Sequence, residues 1–371
     1  GLVLALAALL PACRRREQAA APPPPAELTL VAVGDLMMHQ DVKRAAETHG
    51  FDALWAEVSP LLKGADVAFG NLETPIAPTS GRPGVPFVFN APESLPEALK
   101  RAGWTWLSTA NNHAYDQGPK GILETLERLD GVGLLHTGSG RTRAEAERPL
   151  ILDRKGLRVA LLAFTDLFNA DLNGCEERPW VRPLSAELET LATVKAARAA
   201  ADVVVVSVHW GEEYHHRPSP RQQEAAAALV TAGADLILGH HPHVLQPVSW
   251  VEAGGRRGLV AYSLGNFISN QDRTWRPGQP VAQGDNRDGA LLKVRFTKAP
   301  GSALHTEAGV VPLWTDNSWG PPGPRMIQVH RVRSEEGLPD PLRAALEIRY
   351  PRIRGIIGEP WMPAPGAASA R

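Results

Sequence analysis

Continuously apolar segments that alternate with helical segments constrain this chain more than any other feature of its sequence. Apolar runs without a polar alternation are expected of strands that are covered on both faces of a sheet. The predicted strands are LTLVAVGD, ADVAFG, WTWLSTA, GLLHTG, LRVALLAFT, DVVVVSVHW, DLILGH, LVAYSLGN, ALLKVRF and GVVPLW. The predicted helices are SLPEALKRAG, PKGILETLERL, LSAELETLATVKAARAA and SPRQQEAAAALVTAG. This pattern predicts an α/β protein built in layers.

One segment predicts that the sheet is mixed. PLILDRKGLRVALL is typical of a β-hairpin that turns at Arg154, Lys155 and Gly156. A length of 371 residues with 43% hydrophobic content is enough for one large or two ordinary domains with a sizeable core. The formal net charge is −1, so no overall positive field favours a nucleic acid, and we expect no nucleic-acid partner.

Several of the predicted strands end in side chains that bind metal ions. The residues that share this position are Asp35, Glu73, Asn112, His113, His209, His241 and His243. In an open α/β sheet the carboxyl ends of the strands face one crevice, so these groups are expected at one edge. Burying so many ionisable groups without a partner would cost several kcal/mol. The set therefore predicts a metal site.

Each residue alone has a simpler interpretation. An aspartate after a strand is common as a turn residue or helix cap, and Gly34 before Asp35 favours that interpretation. Asn112 alone would serve as a cap for the helix that starts near Gly118, and His209 alone as a core histidine. Their joint occurrence favours the metal site.

The ligand types point to a class of metal and of reaction. Oxygen and nitrogen ligands without thiolate suit manganese, iron, zinc or cobalt. The candidate residues exceed what one tetrahedral ion needs, so two divalent ions about 4 Å apart are expected. Two such ions lower the pKa of water between them and hold an oxyanion, which favours hydrolysis or transfer at phosphorus, with carbonyl chemistry second.

The amino-terminal segment predicts a lipid anchor. GLVLALAALLPAC is an apolar run too short to span a bilayer, and Leu10, Pro11, Ala12 and Cys13 resemble a bacterial lipobox. Cys13 would then be the lipid-modified residue; a plain signal peptide or a non-functional hydrophobic start is the alternative. The stretch RRREQAAAPPPPAE that follows predicts an extended stalk. Cys175 would remain as a single thiol in a loop.

The motifs GDLMMH, FGNLE, STANNHAYDQG, SVHWGEEY, GHHPHVLQ and YSLGNF occur in this order between about Leu28 and about Asn270. Together they resemble the CapA family of capsule and poly-γ-glutamate synthesis proteins, a branch of the calcineurin-like metallophosphoesterase superfamily. The resemblance implies a sandwich of two mixed β-sheets flanked by helices, with two divalent ions (Mn, Fe or Zn) at the strand ends.

The resemblance also implies a role for each matching residue. Asp35 corresponds to a ligand of the first metal, and Asn112 and His209 to ligands of the second. His241 and His243 correspond to one ligand for each metal. His113 corresponds to the general acid that protonates the leaving group, and His240 to a structural neighbour of the site.

Two positions depart from the superfamily pattern. The first motif has a histidine two residues after the aspartate, but Met37 stands there, so His39 is the expected substitute. The second motif has a bridging aspartate where this chain has Asn71. An amide carries no charge and bridges two cations poorly, so Glu73 is assigned the bridge. The loss of negative ligands weakens metal binding and puts ordinary phosphatase activity in doubt.

The remaining site candidates are secondary. Asp116 is expected either to orient His113 or to cap the following helix. The candidates for substrate binding are Glu212 and Tyr214, with Glu213 between them on the same predicted loop, and Asn266. A solvated loop is the alternative for the first two, and a position behind the ligands for Asn266.

The sequence predicts residues 1–13 as a signal remnant with a lipobox, 14–27 as a proline-rich linker, 28–315 as the CapA-type domain and 316–371 as a carboxyl-terminal extension. The resemblance implies an envelope protein, lipid-anchored on the extracytoplasmic side, that processes an anionic polymer by metal-dependent hydrolysis or transfer, with membrane synthase subunits as partners. The alternatives are a non-catalytic scaffold that binds the polymer and a secreted nucleotidase. Enzymatic activity itself stays open at this point.

Overall fold

The computed structural model describes residues 24–184, 187–317, 326–332 and 340–362. Cys13 and the apolar run before it lie outside these residues. Within the described ranges, no helix has both the length and the apolar character needed to cross a bilayer.

The strands form two large mixed sheets, which confirms the predicted α/β fold. The first sheet has the order β16-β15-β14-β1-β2-β3-β4, with β13 paired to β1. Its strands are β1 (Ala26–Leu36), β2 (Val67–Leu72), β3 (Trp106–Ser108), β4 (Leu135–Thr137), β13 (Asn266–Ile268), β14 (Asp288–Lys298), β15 (His305–Asp316) and β16 (Gln328–Arg331). Strands β1 to β4 are parallel, whereas β14 is antiparallel to β1.

The second sheet has the order β11-β12-β10-β9-β7-β6. Its strands are β6 (Leu150–Arg154), β7 (Leu157–Thr165), β9 (Val203–His209), β10 (Leu236–His240), β11 (Val248–Ala253) and β12 (Arg256–Ala261). Its four inner strands are parallel and both edge strands are antiparallel. The predicted hairpin is confirmed, because β6 and β7 pair across a turn at Lys155 and Gly156. A short pair joins β5 (Ser139–Gly140) to β8 (Trp180–Val181).

Helices cover the outer faces of both sheets. They are α1 (Gln40–His49), α2 (Phe51–Leu54), α3 (Ser59–Lys63), α4 (Leu95–Ala102), α5 (Gly118–Gly131), α6 (Arg143–Glu147), α7 (Glu187–Ala200), α8 (Pro220–Ala232) and α9 (Asp340–Ile357). Two short 3-10 segments follow at Val281–Arg287 and Glu359–Trp361.

The alternation of side chains along each strand shows how the layers stack. In β1, Leu28 and Leu30 point into the core shared by the two sheets, whereas Val31 and Val33 pack under the helices near α1 to α4. The strands of the second sheet alternate likewise between the shared core and the helices α7 and α8. Because both faces of both sheets are buried, the strands are continuously apolar, as the sequence pattern predicts.

Candidate metal centre

The polar residues at the strand ends lie at one edge of the sandwich. Asp35 is the second-last residue of β1, Glu73 directly follows β2, and His209 ends β9. Strands β1 and β2 are parallel in one sheet and β9 and β10 in the other, and His209 Nε2 lies 3.7 Å from Glu73 Oε1, so the carboxyl ends of both sets meet at one edge. The metal-ligand candidates thus come together from segments that are far apart in the chain.

Asp35 is fully buried and is held by a close backbone approach. The N–H of Asp35 donates to Gly265 O at 3.0 Å, and a Cβ on Gly34 would lie only 1.8 Å from that same oxygen. Burial raises the pKa of the Asp35 carboxyl, but His240 and His243 outweigh burial and hold the pKa well below its usual value. Their Nδ1 atoms lie 3.2 and 3.3 Å from the Asp35 oxygens.

Asn71 acts as a hydrogen-bond donor at the centre of this cluster. Its Nδ2 donates to Asp35 Oδ1 at 2.8 Å and to Glu73 Oε2 at 3.4 Å, and it lies 3.3 Å from His209 Nδ1. Asn111 donates in turn to Asn71 Oδ1 at 3.4 Å. The amide therefore donates to both buried carboxylates, which lie close enough together that Asp35 raises the pKa of Glu73.

Glu73 is the acidic residue that two groups of ligand candidates share. One group is Glu73, His209 and His241, and the other is Asp35, Glu73 and His243; in each, the ligand atoms lie within 4.8 Å of one another. Burial raises the pKa of Glu73 well above its usual value, and the Asp35 carboxylate raises it further.

One oxygen of Glu73 has the surroundings of a metal ligand. Glu73 Oε1 is buried and has no hydrogen-bond partner among the described residues. It lies 3.7 Å from His209 Nε2 and 3.7 Å from His243 Nε2. These distances are too long for hydrogen bonds, whereas two ligands of one tetrahedral ion with bonds of about 2.1 Å lie about 3.4 Å apart. The donor set therefore fits divalent cations.

Burial keeps the imidazoles in the neutral form that binds metals. Burial, with a smaller contribution from the neighbouring histidines, lowers the pKa of His209 well below its usual value and that of His241 to about 4. His241 Nδ1 is buried and lacks a partner in the described part of the chain. Asn112 Oδ1 lies 2.9 Å from His209 Nε2, which brings the predicted amide ligand to the same place.

Backbone strain accompanies these positions. His241 and His243 adopt φ angles of 96° and 55°, and Tyr214 adopts 65°. Non-glycine residues in this region cost on the order of 1–3 kcal/mol each, and such costs concentrate at functional sites. Both His241 and His243, which lie in this strained turn, contribute atoms to the ligand groups of the cluster.

His113 lies beside the cluster and is oriented by a carboxylate. Its Nδ1 is 2.8 Å from Asp116 Oδ2, which also accepts from the N–H of Phe89 at 2.5 Å. The Phe89 ring packs 4.3 Å from the His113 ring. The Asp116 carboxylate contacts Phe89 and His113, and the N-cap position of α5 is Gln117, whose side chain makes no cap hydrogen bond. Of the two alternatives for Asp116, the structure has the contact with His113.

His39 lies near the cluster but belongs to none of the ligand groups found among the described residues. Its Nδ1 accepts from the N–H of Asn270 at 3.5 Å, and its ring packs 5.0 Å from Phe89. Burial lowers the pKa of His39 to about 3, with His243 lowering it further. The side chain of Met37 is buried in the core, which accounts for the absence of a ligand at that position.

The three candidates for substrate binding lie in different surroundings. Glu212 is exposed and its nearest charged partner is His215 at 3.8 Å. Tyr214 is 53% exposed and its ring lies 6.3 Å from the His243 ring, so it faces the edge of the cluster. Asn266 is buried and its Oδ1 lies 3.1 Å from His243 Nδ1, a position behind the ligands.

One residue of the site, Asn169, was not singled out from the sequence, whereas Glu213 was placed with Glu212 and Tyr214 on the loop after His209. Glu213 forms a third ligand group with His241 and His243. Asn169 accepts from Asn112 Nδ2 at 3.1 Å, and its own Nδ2 lies 3.5 Å from His113 Nε2. Asn169 follows β7, so the rule that polar groups gather after the strands would have pointed to it.

Comparison with known proteins gives three findings. The family model "Bacterial capsule synthesis protein PGA_cap" matches residues 29–271. The chain is 37% identical over 277 residues to the capsule biosynthesis protein CapA of Bacillus anthracis, a match that covers 72% of this chain and 66% of that protein. It is 32% identical over 269 residues to the PGA biosynthesis protein CapA of Bacillus subtilis (strain 168), covering 72% and 67%. The match thus spans about two thirds of the length of these relatives.

Among solved structures, the NAD nucleotidase of Haemophilus influenzae aligns with a TM-score of 0.47 at 11% identity, over 92% of this chain and 58% of that one. A similarity at this level carries no functional argument.

Proposed function

The chain belongs to the bacterial capsule synthesis protein family PGA_cap, and from this premise we propose that it acts in the cell envelope on a capsule or polyglutamate polymer, by metal-dependent hydrolysis or transfer. The names of the two CapA relatives support the polymer class. The observation that carries the catalytic part is the pair of ligand groups that share Glu73.

The proposed centre assigns a task to each side chain. Asp35 and His243 would hold one cation, His209, Asn112 and His241 the other, and Glu73 both. Bound divalent cations supply Lewis acidity and positive charge for a developing oxyanion. His113 would donate a proton to the leaving group, because Asp116 accepts from its Nδ1 and leaves Nε2 for the substrate side.

The experiment is a comparison of turnover and metal content. Protein purified with manganese would be assayed on phosphodiester and γ-glutamyl substrates, beside His113→Ala and the control His136→Ala. His136 also contacts a carboxylate, at 3.0 Å from Asp130, but it lies outside the site. We expect His113→Ala to lose about 10²–10⁴-fold in kcat with its metal content unchanged, and His136→Ala to retain both. Equal turnover in His113→Ala would refute the proposed role.

A scaffold that binds the polymer without catalysis is the second candidate. The central position of Asn71 favours it, since this amide brings a hydrogen-bond donor where a bridging carboxylate would bring charge. Elemental analysis after dialysis separates the two candidates. Retention of about two ions per chain supports the enzyme, and retention of none supports the scaffold.

We extend the proposal to the cellular location of the protein. The apolar run before Cys13 supports lipid anchoring through this cysteine on the extracytoplasmic side. Full-length protein would be expressed in a bacterial host and separated into membrane and soluble fractions, beside Cys13→Ala. We expect the variant to leave the membrane fraction; membrane association that does not depend on Cys13 would refute the anchor.

A further inference from the structure

Arg182 is a buried cation that the metal centre does not use. Arg182 is only 5% exposed, and the central carbon of its guanidinium lies 4.3 Å from the centre of the Phe164 ring. No hydrogen bond or ion pair joins that guanidinium to any of the described residues. Burial lowers the pKa of Arg182 to about 10, which still leaves it charged at neutral pH. The carboxylates of Glu147 and Glu189 act on this charge and favour it, but neither makes a hydrogen bond to the guanidinium, so its donors remain open to a ligand.

The backbone holds Arg182 firmly in place. Its N–H donates to Gly138 O at 2.8 Å, and its carbonyl accepts from the N–H of Thr165 at 3.0 Å. Thr165 lies beside His209 in the parallel pairing of β7 and β9. Arg182 is therefore anchored next to the strand end that carries a metal-ligand candidate, although its side chain turns toward Phe164 instead.

The unpartnered guanidinium lines a cavity of about 570 Å³ between α6, β8 and α7. Trp180 lines the same cavity, and its buried Nε1 donor also has no partner in the part of the chain described. A rigid guanidinium fork and an indole N–H thus line one space, and both lack acceptors. Two unsatisfied donors in one cavity favour a ligand with acceptor oxygens.

The remaining charges of the cavity decide which anion fits. Arg143 lies over the Trp180 ring and pairs with Glu147 at 2.6 Å and with Glu189 at 2.8 Å. The cavity is lined by Arg143 and Arg182 and by two glutamates, so its formal charge is zero. A phosphate dianion would be repelled by the glutamates, whereas a carboxylate with an ammonium group on the same molecule matches both signs.

We propose that this cavity binds an α-amino acid, free or at the end of a chain, with its carboxylate on Arg182 and Trp180 Nε1 and its ammonium group toward Glu147 and Glu189. None of these residues is a metal-ligand candidate, so the inference stands apart from the proposed catalysis. It adds a second, metal-independent recognition site to the molecule.

The test is calorimetric titration of the full chain in the presence of a chelator, with L-glutamate, glutarate and inorganic phosphate as probes. We expect saturable binding of L-glutamate, with glutarate and phosphate weaker by about tenfold or more. No saturable L-glutamate binding, or equal binding of glutarate or phosphate, would overturn the proposal. A γ-glutamyl dipeptide separates the two sources: tighter binding than L-glutamate supports a chain end, and weaker binding supports the free amino acid.

Three variants locate the binding. Arg182→Met keeps the volume but removes the charge, and we expect about tenfold or more loss of affinity with no loss of thermal stability. Trp180→Phe keeps the ring but removes the donor, and should weaken binding several-fold. Arg221→Gln, at a neighbouring cavity that shares only Thr190 with this one, should bind as wild type does. Unchanged affinity in both Arg182→Met and Trp180→Phe would overturn the assignment.

Discussion

Asn71→Asp tests whether the amide at the centre of the site is there because two carboxylates already surround it. The wild-type Nδ2 donates to Asp35 at 2.8 Å and to Glu73 at 3.4 Å, and every one of these side chains is fully buried. The substitution replaces the donor with an acceptor and brings a third acid into the cluster. In metal-free protein the charge-assisted hydrogen bond to Asp35 is lost and the carboxylates repel each other.

The cost can be worked from these contacts. A hydrogen bond to a charged group contributes about 1.5–3 kcal/mol, and leaving a buried acid without its donor costs a further 1–3 kcal/mol or so. We therefore expect Asn71→Asp to lower the free energy of unfolding by about 3–5 kcal/mol in chelator. Urea unfolding, followed by tryptophan fluorescence with chelator and with manganese, measures it.

Manganese should reduce the stability deficit of Asn71→Asp. Three carboxylates bind cations better than two, and a ligand at about a hundred times its Kd adds about 2.7 kcal/mol to stability. The deficit of Asn71→Asp should therefore shrink or vanish with metal. Asn111→Asp is the matched control, because Asn111 is also buried but donates mainly to Leu72 O, at 2.8 Å. It should lose stability with no recovery in manganese. The reasoning would be refuted if Asn71→Asp were as stable as wild type in chelator. It would also be refuted if the loss of unfolding free energy were the same with chelator and with manganese.

Three further predictions concern residues outside the set of metal-ligand candidates. Gly34→Ala should cost about 1–3 kcal/mol in urea unfolding and lower metal retention, because its Cβ would lie 1.8 Å from a backbone oxygen; an unchanged midpoint would contradict the close approach. Arg349→Ala should cost about 3–5 kcal/mol, because the buried guanidinium contacts Asp288 at 2.7 Å, and a variant as stable as wild type would show that the pair contributes nothing. Burial tends to raise the pKa of Glu124, but hydrogen bonds from Ser80 outweigh it and lower the pKa to about 2 from 4.5. The stability that Glu124 contributes is thus complete above about pH 4.5 and is lost toward pH 2. The difference in unfolding free energy between wild type and Glu124→Gln should therefore shrink from about pH 6 to about pH 3. A difference that does not change with pH would contradict this prediction.

Much of the fold was predictable because strands that are buried on both faces appear in the sequence as continuously apolar segments. The segment LRVALLAFT coincides with β7, and DVVVVSVHW and DLILGH contain β9 and β10. The helices that follow β1 were not predicted. Helix α1 has only three buried residues, Val42, Ala45 and Ala46, two of them alanines that give little apolar contrast. Helix α9 was not predicted either; it packs through Leu346, Ile353 and Ile357 and also through the buried Arg349, which interrupts the apolar pattern.

The site was predictable in its inventory but not in its arrangement. The strand-end rule brought Asp35, Glu73 and His209 to one edge, and the structure has them there. Their partners are set by contacts between distant segments: Asn71 lies across from His209 in the other sheet, and Asn169 reaches Asn112 from the loop after β7. A side chain's direction at the end of a strand depends on local φ and ψ angles and on packing, which spacing does not encode.

The sequence by itself determined which segments form buried strands and which chemical groups stand at the strand ends, because periodicity and residue type are local properties of a chain. Only the tertiary structure decided that Glu73 is shared between two ligand groups, that Asn71 donates to two carboxylates, and that the Arg182 guanidinium lines a cavity. Each of these facts depends on distances of a few ångströms between segments far apart in the chain. Such distances follow from how two sheets stack, and stacking is a property of the packed core as a whole.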